Sequence, residues 1–402
     1  MKVLFIAPRL PLPADTGGKI RTLNILRQIA KRTSVHLVCF SFNESDDEYA
    51  ESLEQEGISV TLVAHQPCPP FRKAVAVFTK EVPVSLAAYD AKKMEEVIRG
   101  LITEHDYTVV HFDHVHTSHY RHCCQHIPGI LDEHNVEYRI LERCAVIEKS
   151  WIKRWIFANQ ARKMKTVEAR MIKEFTHVLT CSQEDKNILS GFSNGETSFT
   201  VIPNGVDTQY FKSSLAVNSQ EKAAQKPQAL VFTGSMDWLP NTDAVVYFCR
   251  EILPLIWQKK TAVQFYIIGK NPTSMVQRLA QGDERIIVTG RVPDVREYIE
   301  RSQIFVVPIR IGGGTRLKIL EAMSMGRAIV STMVGAEGIL CTSGRDILIA
   351  DQPQDFSDQI LNLLDDEERR LRMGEAGRAL VCEHYDWDKV GEKLWAVYQN
   401  FF

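Results

Sequence analysis

Short, continuous apolar runs recur along this chain of 402 residues, and stretches with helical spacing separate them. In the first half the runs fall at Val3–Ala7, Val35–Phe40, Val60–Val63, Val109–Phe112, Gly129–Leu131, Val178–Cys181 and Phe199–Ile202. Between them, segments such as Ile20–Ala30 and Ala91–Thr103 place apolar residues three and four positions apart. A strand that is apolar at successive positions must be covered on both faces, and intervening helices supply that cover. The expectation is a doubly wound α/β fold built on a parallel sheet.

The pattern then starts again. After a polar stretch between Asp207 and Gln228 come ALVFTG, VQFYIIG, IIVTG, IFVVP, AIVST and DILIA, each followed by a polar or helical segment. Two Rossmann-like domains of similar size are therefore expected, facing each other across a cleft. Residues 1–206 form the first, 207–228 a linker and 229–384 the second. The tail Tyr385–Phe402 carries Trp387, Val390, Leu394, Val397 and Tyr398 at helical spacing, so it docks on one of the two. Ligands of such sheets bind beyond the carboxyl ends of the strands, which is where chemistry is to be sought.

Composition narrows the classes. The chain is 45% hydrophobic and 24% charged, as ordinary soluble proteins are. A net charge of −2 gives no general attraction to nucleic acid. The run Val3–Ala7 is too short for a secretory leader, and no stretch reaches the roughly 18–20 apolar residues of a membrane span. Nine scattered cysteines suit reduced thiols, so a cytoplasmic location is expected.

The segment IGGGTRLKILEAMSMG follows the strand Gln303–Pro308. Gly312, Gly313 and Gly314 let a ligand approach backbone N–H groups, and Thr315 is the expected N-cap of a helix from Arg316 to Met325. Free N–H groups and the positive helix end favour an anion, and Arg316 and Lys318 add charge suited to phosphate. Glu321 would be repelled by a diphosphate and is expected on hydroxyls, a ribose being the obvious candidate. The alternative is a glycine corner before a salt-bridged surface helix. Gly17 and Gly18, between the first strand and the helix from Ile20, repeat the same logic. They do not form a dinucleotide fingerprint.

Histidines crowd HFDHVHTSHYRHCCQH, where His119, His122 and His126 would share a helical face beside Cys123 and Cys124. No zinc spacing is present, so a mixed surface helix is favoured over a metal site. His134 follows the Gly129–Leu131 run and is expected to face the cleft, where imidazole orients a hydroxyl or shuttles a proton. From Trp151 to Lys173 seven Lys/Arg stand against one acid, with Trp151, Trp155 and Ile156 as an apolar edge. Such a helix either contacts an anionic membrane or packs its apolar side on its own sheet.

With these pieces placed, the chain resembles the retaining GT-B glycosyltransferases of family 4 over nearly its whole length. VIPNGVDTQYF, LTCSQED, the Gly17–Gly18 loop, VVPIRIGGGTRLKILEAMSMGRAIVST and EHYDWDKV carry the likeness in order and spacing. The resemblance implies a final helix crossing back to the first domain. It also implies Glu321 on the nucleotide ribose, Gly17 and Gly18 facing the donor diphosphate, Arg291 and Val292 beside the base, and His134 near the donor sugar and acceptor. Two positions depart from the family pattern. Gly313 replaces the first glutamate of the family's pair, which contacts the donor sugar. The loop opening at Gly234 and Ser235 reads SMDWLPNTD and lacks the usual arginine and lysine, so Arg316 and Lys318 are expected to supply that charge.

The function implied is transfer of a sugar from a nucleotide diphospho-sugar to a glycan or lipid-linked acceptor hydroxyl, with retention and without metal or other cofactor. No acidic cluster suited to Mg²⁺ is evident. Basic residues of 151–173 offer peripheral contact with a membrane. A catalytically silent relative that binds a sugar nucleotide or a partner enzyme, and less readily a sugar-nucleotide epimerase, are the alternatives.

Overall fold

The computed structural model describes residues 2–65, 81–213 and 228–402. Most of the expected linker, 214–227, lies outside them. The chain divides into two compact units, Met1–Asn204 with Val390–Phe402, and Gly205–Lys389.

In the first unit seven strands form one parallel sheet: β1 (Lys2–Ala7), β2 (Ser34–Ser41), β3 (Ser59–Ala64), β4 (Val109–Asp113), β5 (Gly129–Glu133), β6 (His177–Thr180) and β7 (Ser198–Val201). Their order is β3-β2-β1-β4-β5-β6-β7. The central strands are buried along almost their whole length, whereas β7 at the edge is not, which explains why the central runs read as continuous apolar stretches. Phe5, Leu4 and Ile6 on β1 and Val110 and Phe112 on β4 are wholly buried. The strand order reverses between β1 and β4. Loops leaving those two strands diverge, and the gap left above their carboxyl ends is the place such a sheet offers a ligand.

The second unit repeats the plan with six strands: β8 (Ala229–Thr233), β9 (Gln264–Ile268), β10 (Ile286–Gly290), β11 (Ile304–Val307), β12 (Ala328–Ser331) and β13 (Leu348–Ile349). Their order, β10-β9-β8-β11-β12-β13, reverses between β8 and β11. The strands lie within a residue or two of the expected runs, apart from DILIA, of which only Leu348 and Ile349 pair.

The tail forms a helix, Trp387–Tyr398, followed by a short 3-10 turn. From Val390 onward it belongs to the first unit, where the Tyr398 hydroxyl meets Nδ1 of the buried His111 on β4 at 2.7 Å. His111 in turn stacks on Phe5 with ring centroids 4.3 Å apart. The tail thus completes the core of the unit in which the chain began.

Three local expectations are corrected. Gly17 and Gly18 are not a loop before a helix; they form the first turn of the helix Gly17–Ala30 itself. Thr315 is not an N-cap: the helix spans Leu317–Ser324 with Arg316 at the cap position, and the Thr315 hydroxyl reaches the Gly338 carbonyl at 3.4 Å. The histidine segment is a 3-10 helix, Val115–Cys123, so His126 lies beyond it and does not share a face with His119 and His122.

Candidate active site

Each unit carries polar side chains at its own switch point. In the first, β4 ends in Asp113 and β5 in Asp132 and Glu133, all fully buried. Arg21, one turn into the helix after β1, grips Asp132 with two hydrogen bonds of 3.1 and 2.6 Å. Its third nitrogen donates to the Ile202 carbonyl at 2.9 Å and to Asn204 at 3.1 Å. Burial opposes charge on Arg21, but Asp132 outweighs it and raises the guanidinium further, while Arg21 holds the Asp132 carboxyl below its ordinary value. Such a buried, bidentate pair fixes the helix against the sheet.

His134 sits beside this pair. Its Nε2 lies 2.9 Å from Asp113 Oδ1, and the other oxygen of Asp113 accepts from the Thr22 hydroxyl at 2.8 Å. Burial alone would favour the neutral ring; Asp113 reverses this and raises the histidine above its ordinary range. A Cβ added at Gly18 would stand 3.8 Å from His134 Nδ1, so the structure brings the glycine turn and the histidine together. Both line a pocket of ≈ 190 Å³ with Arg9, Tyr89, His114 and His116. The sequence reading had not singled out these last four for the site. His114 carries a signal only the backbone shows, a φ of 73° at a residue that is not glycine.

The second switch point is built from the loops after β8 and β11. Gly234 ends β8 with φ 152°, and a Cβ there would come within 2.7 Å of Lys318 Nζ. Lys318 reaches this spot from the helix after the glycine loop and donates to Asn241 Oδ1 at 2.8 Å. Asn241 in turn donates to the Ser235 carbonyl at 2.9 Å, and the Ser235 hydroxyl bonds Asp237 at 2.5 Å. The ammonium also lies 3.8 Å from the centroid of Phe232. Among the described residues no carboxylate comes within ion-pair distance of it. Burial, joined by Arg316, lowers Lys318 to about 7 against a partial pull from Glu321. Burial raises Glu321 to about 7 despite Lys318. Asn241 and Phe232 escaped the sequence reading because only the tertiary fold brings them to Lys318.

Gly312 and Gly314 have φ of 142° and 65°, and a Cβ on Gly312 would meet Arg316 Nη2 at 2.4 Å. Arg316 folds back on the loop, donating to the carbonyls of Gly313 and, at 2.7 Å, Gly314. Arg310 in the same loop is neutralised by Asp243 through two bonds of 3.0 and 2.6 Å. Arg291 and Val292 follow edge strand β10, whose Gly290 carbonyl accepts from Gly269 N at 3.1 Å. Gly269 packs against Gly234 so closely that a Cβ there would fall 1.7 Å from the Gly234 oxygen. Val292 packs on the unit's core while Arg291 is exposed. No described contact joins either to Lys318 or Glu321.

Elsewhere, His122, Cys123 and Glu95 come close enough to share an ion, as do His111, Asp113 and Asp132. The second trio is committed to Tyr398, His134 with Thr22, and Arg21. The first is a partly exposed surface grouping, with His122 Nε2 3.5 Å from Glu95. The described cysteines carry free thiols. No described helix is long and apolar enough to cross a membrane.

Two doubly wound units with polar switch points define a GT-B type of protein. Residues 16–210 match the family model described as Glycosyltransferase Family 4, and residues 227–366 that described as Glycosyl transferases group 1. The chain belongs to the family-4 glycosyltransferases. A 44.6 kDa protein of the cps region of Klebsiella pneumoniae is 19% identical over 398 residues, 97% of each chain. A GDP-mannose-dependent monoacylated alpha-(1-6)-phosphatidylinositol monomannoside mannosyltransferase of Corynebacterium glutamicum is 26% identical over 52% of this chain and 58% of its own length. In fold, the chain is similar to HepE of Anabaena, solved with UDP and glucose (TM-score 0.69, 15% identity, 99% of each chain).

Proposed function

We propose that this glycosyltransferase moves a sugar from a nucleotide diphospho-sugar to a hydroxyl of a glycan or lipid-linked acceptor, with retention, in the building of a surface polysaccharide or glycolipid. The observation that carries the reading is Lys318 Nζ, half-buried at the β8/β11 switch point with a neutral amide and an aromatic face as its described contacts. A half-buried ammonium without a carboxylate partner favours an anionic ligand. As the bond to the leaving diphosphate loosens, Lys318, Arg316 and loop N–H groups stabilise the growing charge, so no metal is assigned to that role. Glu321 serves the ribose, and Arg291 with Val292 the base. In the first unit His134, held by Asp113, serves a reacting hydroxyl.

The relatives whose names include a phosphatidylinositol mannoside and a cps region support a glycan or lipid-borne acceptor. The helix Trp151–Met171 supports membrane contact: Trp151, Ile152 and Trp155 are 78%, 52% and 51% exposed beside Lys153 and Arg154. Co-sedimentation with anionic vesicles should fall when both tryptophans become alanine; unchanged binding would remove this surface.

Incubation with a panel of nucleotide sugars and acceptors, with mass spectrometry of products, tests the main reading. One donor should transfer, and transfer should persist in EDTA. Gly313, in place of a family glutamate, favours a second reading as a silent sugar-nucleotide binder. Tight binding of a donor with neither transfer nor hydrolysis would establish that instead.

A further inference from the structure

We propose that His116 fixes the acceptor in the first unit's pocket: its Nε2 accepts a hydrogen bond from an acceptor hydroxyl, and Glu137 acting through His114 sets the tautomer that makes this possible. The inference rests on the transferase reading above, and it assigns His114 and Glu137 as positioning residues.

Three side chains form a line. Glu137 Oε1 lies 3.4 Å from His114 Nε2. His114 Nδ1 lies 2.6 Å from His116 Nδ1. Asn135 Nδ2 donates to Glu137 at 3.1 Å and holds the carboxylate in place. Glu137 begins the helix Glu137–Ile147 directly after the loop that follows β5, and His114 is the residue after β4. The line therefore spans the ends of two adjacent strands. The backbone at His114 is in the left-handed region, with its N–H bonded to the Asp132 carbonyl at 2.9 Å. A histidine kept in that conformation is a strained choice where glycine would be easier, and such strain gathers at functional sites.

For a neutral His114 the protons run in one direction along the line. Burial opposes ionisation of Glu137, but His114 outweighs it and lowers the carboxyl to about 2, so the carboxylate only accepts. With His114 neutral, the proton facing that carboxylate is on Nε2, which leaves a lone pair on Nδ1. Two ring nitrogens 2.6 Å apart need one hydrogen between them, so His116 carries its proton on Nδ1. Burial, His114, Arg9 and His134 all disfavour a second proton on His116, with Glu137 as the opposing charge. Its Nε2 is thus an acceptor only. That nitrogen is on the ring edge away from His114, in a residue that lines the pocket with His134 and Gly18. Tyr89, edge-on to the His116 ring at 5.3 Å and bonded by Arg9, limits ring rotation.

A nitrogen that accepts and cannot donate selects a hydroxyl over a carbonyl or phosphate oxygen. A sugar hydroxyl is the chemistry that fits. His116 takes no proton in this role. The hydroxyl held by His116 is not the one that reacts: the reacting hydroxyl's oxygen bonds to the anomeric carbon, the bond from that carbon to the diphosphate breaks, and the reacting hydroxyl's own proton leaves with the diphosphate oxygen.

Nitrogen-15 NMR of the histidine-labelled full chain reads the tautomer without any substrate. The expected result is Nδ1–H on His116 with an unprotonated Nε2; an Nε2–H tautomer overturns the proposal. His114→Gly suits the backbone at that position and breaks the line. It should abolish the tautomer bias and raise the acceptor KM about three- to ten-fold, the worth of one neutral hydrogen bond, with donor affinity unchanged. His116→Ala should do the same, and His116→Gln, which keeps an acceptor, should recover most of the loss. Unchanged acceptor KM in both His114→Gly and His116→Ala overturns the assignment while transfer itself stands. A chain that transfers no sugar from any donor refutes the transferase reading instead, and the tautomer measurement then still decides the line.

Discussion

Arg21 in the first unit and Lys318 in the second are both cations withdrawn from water at a switch point, yet their surroundings differ. Arg21 has a carboxylate, a carbonyl and an amide oxygen on its three nitrogens. Its charge is consumed inside the protein. Lys318 has an amide oxygen and an aromatic face. Burial therefore raises no net objection to Arg21 but depresses Lys318. One cation belongs to the scaffold that aims His134 and Asp113. The other is left with attraction to spare, and a ligand phosphate is the partner that would use it.

The largest expected effect breaks the first of these. Arg21→Met leaves Asp132 buried with the histidines His134, at 3.8 Å, and His111 as its described neighbours able to carry positive charge. Losing one partner of a buried pair costs about 3–5 kcal/mol. Urea unfolding of the full chain should show a loss of this size, and a change under 1 kcal/mol would mean that water reaches Asp132.

Lys318→Met should have the opposite signature: stability unchanged or slightly raised, because a costly buried charge is removed. Affinity for a nucleoside diphosphate should fall by about ten- to a hundred-fold, with nucleoside affinity nearly intact. A pH signature sharpens this. Folding lowers Lys318 to about 7 from 10.5, so this group makes the ligand-free protein more stable as pH rises across that window. Glu321, raised to about 7 from 4.5, contributes stability that is full below 4.5 and is lost as pH rises toward 7. A bound diphosphate restores the ammonium, so binding at pH 8 should take up about one proton. Calorimetry in buffers of different ionisation heat measures that number, and zero uptake would remove Lys318 from the phosphate site.

These contrasts also show what sequence can carry. The strands were readable because central parallel strands are buried on both faces, and Val3–Ala7 or Val109–Phe112 has no other reason to be so apolar. Gly234, Gly312 and Gly314 were readable because close packing or a left-handed backbone demands glycine at each. Arg21 was not. A single arginine near the start of an amphipathic helix looks like a solvated residue until Asp132, 111 positions away, is folded onto it. Asn241 beneath Lys318 and the Glu137–His114–His116 line are hidden for the same reason: their partners meet only through strand order. Helix starts were misplaced by one to three residues at Gly17 and Thr315, where caps and first turns share the same residue types.

The smallest expected effect concerns the glycine loop that bears on Lys318's side of the comparison. Gly312 and Gly314 are in the left-handed region, and among the described residues of that loop Gly313 is not. Gly312→Ala would strain the backbone and press on Arg316, so a loss of about 1–3 kcal/mol is expected. Gly313→Ala should stay within about 0.5 kcal/mol of the parent in thermal or urea unfolding. If so, glycine at 313 is not required by the fold, and Gly313→Glu becomes a clean probe of the site. Placing a carboxylate there should change donor-sugar turnover while leaving affinity for the free nucleoside diphosphate within about two-fold, since a carboxylate that serves the sugar has no partner on a ligand that lacks one. A large loss of nucleoside diphosphate affinity would show instead that position 313 faces the phosphates, and that glycine is kept there to admit them.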